Sequence, residues 1–177
     1  MEVLEAAVGE VAGVLRLLAG RDWGVRAGLL DWTCRATGVH IAHDLDAYAH
    51  QVAGEVRDGY LPLDLTVRDA ATPAQIVTVI EASGLLLARA LDGFTGRGWH
   101  WGPTDGGGFA ALGACELLVH CWDITQGLGV AWEPPPGPSG VVARRLFPGA
   151  PADLLWCTGR RPGHRDPEWR YRASTQG

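Results

Sequence analysis

Hydrophobic residues recur at every third or fourth position along four stretches of the chain, which is the pattern of amphipathic helices. The third of these stretches has the clearest beginning. Thr72 can cap a helix, Pro73 suits its first turn, and Gln75 completes a capping box. The predicted helices cover residues 2–20, 35–57, 72–94 and 109–126.

The segments outside these helices have different patterns. Residues 58–71 contain YLPLDLTV, whose alternation predicts either a short strand or an extended crossover. EPPPGP at 133–138 predicts a rigid break in the chain. After that break, residues 139–147 and 151–157 predict two short helices.

Each apolar helix face must be covered by another element, so four helices of similar length predict an all-α fold. We expect a four-helix bundle with two short additional C-terminal helices. One domain is predicted over residues 1–160, followed by an irregular, Arg-rich tail over residues 161–177. Arg160 and Arg161 begin the basic cluster of that region, which we interpret as solvent-exposed.

Composition narrows the functional classes. The chain has 177 residues, 47% of them hydrophobic, and a net charge of −5, so the basic surface of a nucleic-acid-binding protein is not expected. The acidic N-terminal sequence does not resemble a signal peptide, and no apolar stretch is expected to reach membrane-spanning length. We therefore predict a cytoplasmic protein without a nucleic-acid or membrane partner. Four cysteines lack CxxC spacing and are expected to be buried free thiols.

The segment CELLVHCWDI carries the most informative polar residues. Glu116 and His120 lie four positions apart among apolar neighbours, so on a helix they point to the same side. Burying either group without a partner is costly. The same spacing lets one helix offer two ligands to one metal ion. Alternatively, the two side chains form a hydrogen-bonded pair in a polar layer of the core, without a metal.

A metal site needs at least one further ligand, and every other histidine is a candidate at this point. His40 and His43 stand out within the predicted second helix, because His40 precedes Ile41 at the edge of the apolar stripe and His43 follows three residues later. Two histidines and a carboxylate with an open position are typical of catalytic zinc, and nickel also accepts such donors. The candidates are His40, His43, His50, His100 and His164.

Two aspartates lie close in sequence to these ligands. Asp44 follows His40 by four residues, and Asp123 follows His120 by three. Each can orient an imidazole or contact a bound thiol. The Gly-rich TDGGGF lacks the Lys of a phosphate loop, so Thr104 or Asp105 is expected to cap the fourth helix.

Three segments resemble a known family. DWTCRATGVHIAHDLDAYA, GFAALGACELLVHCWDITQGLG and LLWCTGRR are similar to the DinB-like superfamily, specifically to the metal-binding N-terminal domain of mycothiol-dependent maleylpyruvate isomerases. The resemblance covers roughly residues 5–160. It implies a four-helix bundle in which His40, Glu116 and His120 hold a divalent metal ion.

The resemblance also implies a chemistry, in which a metal-activated thiolate of the mycothiol type attacks an electrophilic substrate. We therefore predict a thiol-dependent transferase or detoxification enzyme that uses zinc or nickel and a low-molecular-weight thiol, and that can form a homodimer. The isomerase has a second domain that this chain is expected to lack, so maleylpyruvate itself is not the expected substrate. The alternative is a non-catalytic metal- or ligand-binding module.

Overall fold

The computed structural model describes residues 1–163 and is mostly helical, which confirms the all-α class. From residue 164 onward, the predicted tail lies outside the described residues. The helices are α1 (Glu2–Leu18), α2 (Cys34–Ala53), α3 (Pro73–Leu91), α4 (Gly106–Gly127), α5 (Pro136–Leu146) and α6 (Leu154–Cys157), and the strands are β1 (Gly98–Trp99) and β2 (Pro103–Thr104).

Three of the four long helices begin at a capping side chain. The Thr33 hydroxyl accepts a backbone N–H at the start of α2, and Thr72 and Gln75 form the predicted capping box of α3. Asp105 caps α4 by accepting the Gly108 N–H at 2.7 Å. Consequently α4 begins three residues before the predicted Phe109, because the glycine run forms its first turn.

Several predicted boundaries are wrong for local backbone reasons. The second helix ends at Ala53 rather than at residue 57, since Glu55 adopts a left-handed conformation with φ of 46°. The helix predicted to follow the proline run instead begins within it, at Pro136, because proline fits the first turn of a helix.

The connection over residues 58–71 contains no regular strand, so the extended crossover is the correct alternative. The small hairpin of β1 and β2 was not predicted. Its strands pair Gly98 with Thr104 and Trp99 with Pro103. Strands of two residues are too short to produce an alternating pattern in the sequence.

Helix α4 lies at the centre of the packing. It contacts α1, α2, α3, α5 and α6, and most of its residues are buried. Gly113 is needed for this packing, because a Cβ atom there would meet side chains of Leu4, Leu45 and Leu87, one from each of the other long helices. A helix that is apolar on nearly every face is expected in such a central position.

The expectation that no apolar stretch reaches membrane-spanning length is wrong for α3. By length and composition alone it can cross a membrane, since an 18-residue window has a mean hydropathy of 1.5. Of that window, 44% is nevertheless buried inside the protein, against α1, α2 and α4. Core helices of soluble proteins meet the same criterion, so this helix is weak evidence for a membrane protein.

The end of α4 provides a test of this packing. We expect Gly127→Ala to lower the free energy of unfolding by about 1–3 kcal/mol through overpacking, because its Cβ would lie 2.2 Å from the Arg26 carbonyl oxygen and 2.9 Å from the Cys34 sulfur. Gly13→Ala in α1 is the matched control. Nothing lies within 4 Å of its Cβ position, so this variant should gain about 0.5–1 kcal/mol. Urea denaturation measures both changes, and equal effects would contradict the close contact at Gly127.

Candidate metal centre

Helices α2 and α4 bring His40, Glu116 and His120 together. The Glu116 Oε2 atom lies 3.4 Å from His40 Nε2 and 3.2 Å from His120 Nε2. One ligand atom from each residue lies within 4.8 Å of the other two. This group, hereafter the HEH cluster, is arranged so that it can hold a metal ion.

The HEH cluster is closed on one side and partly open on the other. Glu116 is only 4% exposed and His120 only 8%, whereas 28% of the His40 side chain is accessible to solvent. The Trp32 ring packs edge-on against His40, with ring centroids 4.9 Å apart. Trp32 and His40 are therefore in direct contact, and His40 is the most accessible of the three cluster residues.

Charges around the cluster strongly affect its protonation. Burial by itself would raise the pKa of Glu116, but hydrogen bonds with His120 and His40 hold it well below its usual range. Burial would likewise lower the pKa of His120, but its bonds with Asp123 and Glu116 raise it to about 9. Both ring nitrogens of His120 face carboxylates, so the imidazolium form is favoured when no metal is bound.

Asp123 supports His120 from the side away from the cluster. Its carboxylate is fully buried and accepts the His120 Nδ1–H at 2.9 Å. Arg160 then donates to both of its oxygens, from Nη2 at 2.7 Å and from Nε at 3.2 Å. Burial would raise the pKa of Asp123, but these bonds lower it.

The interpretation of Arg160 as a solvent-exposed tail residue is therefore wrong. Only 13% of its side chain is exposed. The sequence did not indicate this burial of Arg160, because a cluster of arginines beside Pro and Gly is typical of a solvent-exposed segment. Arg161 does lie at the surface, where it pairs with Glu133 and Asp153.

Asp44 is placed differently relative to His40 than Asp123 is relative to His120. Its Oδ2 atom is 3.6 Å from His40 Nε2, which is the same nitrogen that faces Glu116. Asp44 also contacts the His43 ring and accepts a hydrogen bond from the Tyr48 hydroxyl. Burial, followed by the charge of Glu116, raises its pKa. It thus lies beside the face of His40 that would meet a ligand, rather than behind the ring.

The remaining described histidines do not join the HEH cluster. His43 lies between Asp44 and Asp64, and the His50 Nδ1–H donates to the Asp46 carbonyl at 2.8 Å. His100 packs edge-on against Tyr48 and belongs to the wall of a neighbouring cavity. His164 lies outside the described residues.

A cavity of about 360 Å³ begins at Asp44, next to the cluster. The Gln51 side chain, which lines this cavity, hydrogen-bonds to the backbone of Gly59, Leu61 and Trp99. The aromatic lining of the cavity is Tyr48, Tyr60, His100 and Trp101, and its carboxylates are Asp44 and Asp64. Among the residues that the structure describes, neither Lys nor Arg lines it. Volumes of this order suit small organic molecules.

Comparisons of the chain with protein-family models, with curated proteins and with solved structures find no match. The resemblance to the DinB-like superfamily therefore stays a prediction. What the chain's own geometry provides is a buried His/Glu/His group with room on one side.

The protonation of His120 leads to a prediction about metal binding. An ion that binds His120 Nε2 must displace a proton below pH 9, because the pKa of the imidazole is raised to about 9. We expect about one proton released per zinc ion at pH 7 and an apparent affinity that rises as pH approaches 9 and levels off above it. Calorimetric titration in two buffers of different ionisation enthalpy measures this release. No proton release would contradict the arrangement of charges.

Proposed function

We propose that this protein is a divalent-metal-binding member of the DinB-like superfamily, built as a four-helix bundle whose ligands are His40, Glu116 and His120. The observation that carries the proposal is the convergence of these three side chains from two helices. An imidazole–carboxylate pair without a metal would need only one histidine. Here Glu116 lies between two.

The donor set and the local charge both favour a divalent cation. Two imidazoles and one carboxylate suit zinc, and they also accept nickel. Asp44, Glu116 and Asp123 all lie around the cluster, and Arg160 pairs with Asp123, so with ionised carboxylates and neutral imidazoles these four charged groups leave an excess of two negative charges. One divalent ion balances that excess.

Metal content tests this proposal directly. The purified protein, equilibrated with zinc, should retain about one ion per chain. Changing a residue that only orients a ligand typically costs about 10- to 100-fold in affinity, so His40→Ala should weaken binding at least about 100-fold. Elemental analysis after dialysis measures the stoichiometry, and competition with a chromophoric chelator measures the affinity.

His50→Ala is the matched control, because His50 is also on α2 but, within residues 1–163, its ring bonds only to Asp46. It should bind zinc as the wild type does. Absence of zinc from a folded, reduced wild-type protein would refute the metal site. Equal losses in both variants would assign the effect to the helix rather than to the ligand.

The proposed reaction is thiol transfer to an electrophile. A bound divalent ion stabilises a thiolate relative to the thiol, and the thiolate is the nucleophile. A small molecule is the proposed source of the thiol, because all four cysteines are buried and burial raises the pKa of Cys34 to about 11 and also raises the pKa values of Cys121 and Cys157. A mycothiol-type compound is the co-substrate that the family resemblance suggests.

The cavity at Asp44 is the proposed place for the electrophile. Its aromatic lining suits a planar or apolar body. The carboxylates of Asp44 and Asp64 disfavour a dicarboxylate, since no Lys or Arg of the described part of the chain lines the cavity. A neutral electrophile therefore fits this cavity better than the doubly charged maleylpyruvate.

Turnover tests the enzymatic part of the proposal. With N-acetylcysteine as thiol and 1-chloro-2,4-dinitrobenzene as electrophile, a carbon–sulfur bond forms, chloride leaves and the thiol proton passes to solvent. The zinc-loaded protein should accelerate this reaction, measured by absorbance of the thioether. The Glu116→Ala/His120→Ala double variant should give the uncatalysed rate.

The same assay separates the enzyme from the alternative, a non-catalytic binding module. The partly exposed face of His40 and the adjoining cavity favour the enzyme. Zinc binding with equal rates for wild type and double variant would instead support the binding module. Replacing the neutral electrophile with maleate tests the cavity, because maleate should react at the uncatalysed rate.

A further inference from the structure

We propose that Arg160 is a positioning residue of the metal centre, through which the segment after α6 sets the metal affinity. This inference rests on the proposed metal-binding function. Arg160 touches none of the three ligands. It acts through Asp123, which in turn holds His120.

The contacts form one continuous series from the C-terminal segment to the cluster. Arg160 is tied to its own segment by a 2.8 Å bond from Nη1 to the Thr158 carbonyl. Its Nε and Nη2 hold both oxygens of Asp123, and the His120 Nδ1–H donates to Oδ2 of the same carboxylate. With Nδ1 engaged in this way, Nε2 of His120 is directed at Glu116.

The two-pronged geometry of arginine matters because the Asp123 carboxylate is fully buried, out of reach of bulk solvent. Arg160 bonds to both of its oxygens, and His120 bonds to one of them. A guanidinium fixes a carboxylate in rotation and in position, whereas the ammonium of lysine acts as a point charge. Partners that orient a ligating histidine typically change metal affinity by about 10- to 100-fold when they are replaced.

The role of Arg160 can be tested, because its positive charge and its orientation of Asp123 predict opposite changes in zinc affinity when Arg160 is replaced. Removing a positive charge near a cation site would by itself strengthen cation binding. If orientation dominates, Arg160→Gln weakens binding instead. Arg160→Lys separates the two causes further, because it keeps the charge and loses the second hydrogen bond.

The experiment measures zinc affinity at pH 7 for the full chain by chelator competition. We expect about 10- to 100-fold weaker binding in Arg160→Gln and a clear loss in Arg160→Lys as well. Arg161→Gln is the matched control, since its side chain pairs at the surface with Glu133 and Asp153, and it should bind zinc as wild type does.

A double-mutant cycle tests whether Arg160 acts through Asp123. Arg160→Gln should have little further effect on zinc affinity in an Asp123→Asn background, because the residue it positions is already changed. Visible absorption of the cobalt-loaded proteins reports the coordination geometry. It should change in Arg160→Lys and stay as in wild type in Arg161→Gln.

The outcomes separate this inference from the proposed function. A wild type that binds no zinc refutes both. A wild type that binds, together with unchanged or tighter binding in Arg160→Gln or Arg160→Lys, refutes only the positioning role. Thermal unfolding without metal identifies a variant that fails to fold, and if Arg160→Gln is lost in this way, Arg160→Lys decides.

Discussion

The buried carboxylate of Glu116 is the constraint around which this end of the molecule is arranged. An ionised group in an apolar interior is tolerated only when it is paired and hydrogen-bonded. Here two imidazoles from different helices supply the partners. One of them, His120, then needs support of its own, which Asp123 and Arg160 provide. A single buried charge thus accounts for polar residues in α2, in α4 and after α6.

The sequence predicted the helices and their caps well, because both depend on local patterns. Thr72 and Gln75 form a local capping motif that marks the start of α3. Glu116 and His120 share a face of α4 because they lie four positions apart. The choice of His40 as third partner came from the family resemblance, since periodicity treated it no differently from His43. The structure distinguishes them: His40 faces Glu116, whereas His43 faces Asp44 and Asp64.

Features that depend on tertiary contacts were not accessible in this way. The sequence around Arg160 predicts an exposed side chain, because no local pattern indicates its contact with Asp123, 37 positions earlier. The cavity beside Asp44 combines residues from α2, the crossover and the hairpin. Tyr60 and Trp101 lie in segments without periodicity, so only the fold shows that they face a common space with Tyr48 of α2.

The contact at Gly113 has a consequence for ion selection. Leucines from three helices meet the backbone there, less than one turn before Glu116, so α4 can neither slide along its axis nor rotate without displacing all three. Two of the three donor atoms are therefore carried by a helix whose register is fixed, while His40 belongs to a different helix with a partly exposed side chain. Ions of different radius would have to be accommodated mainly by small movements of His40, and the site should discriminate by size more than a flexible loop of ligands would.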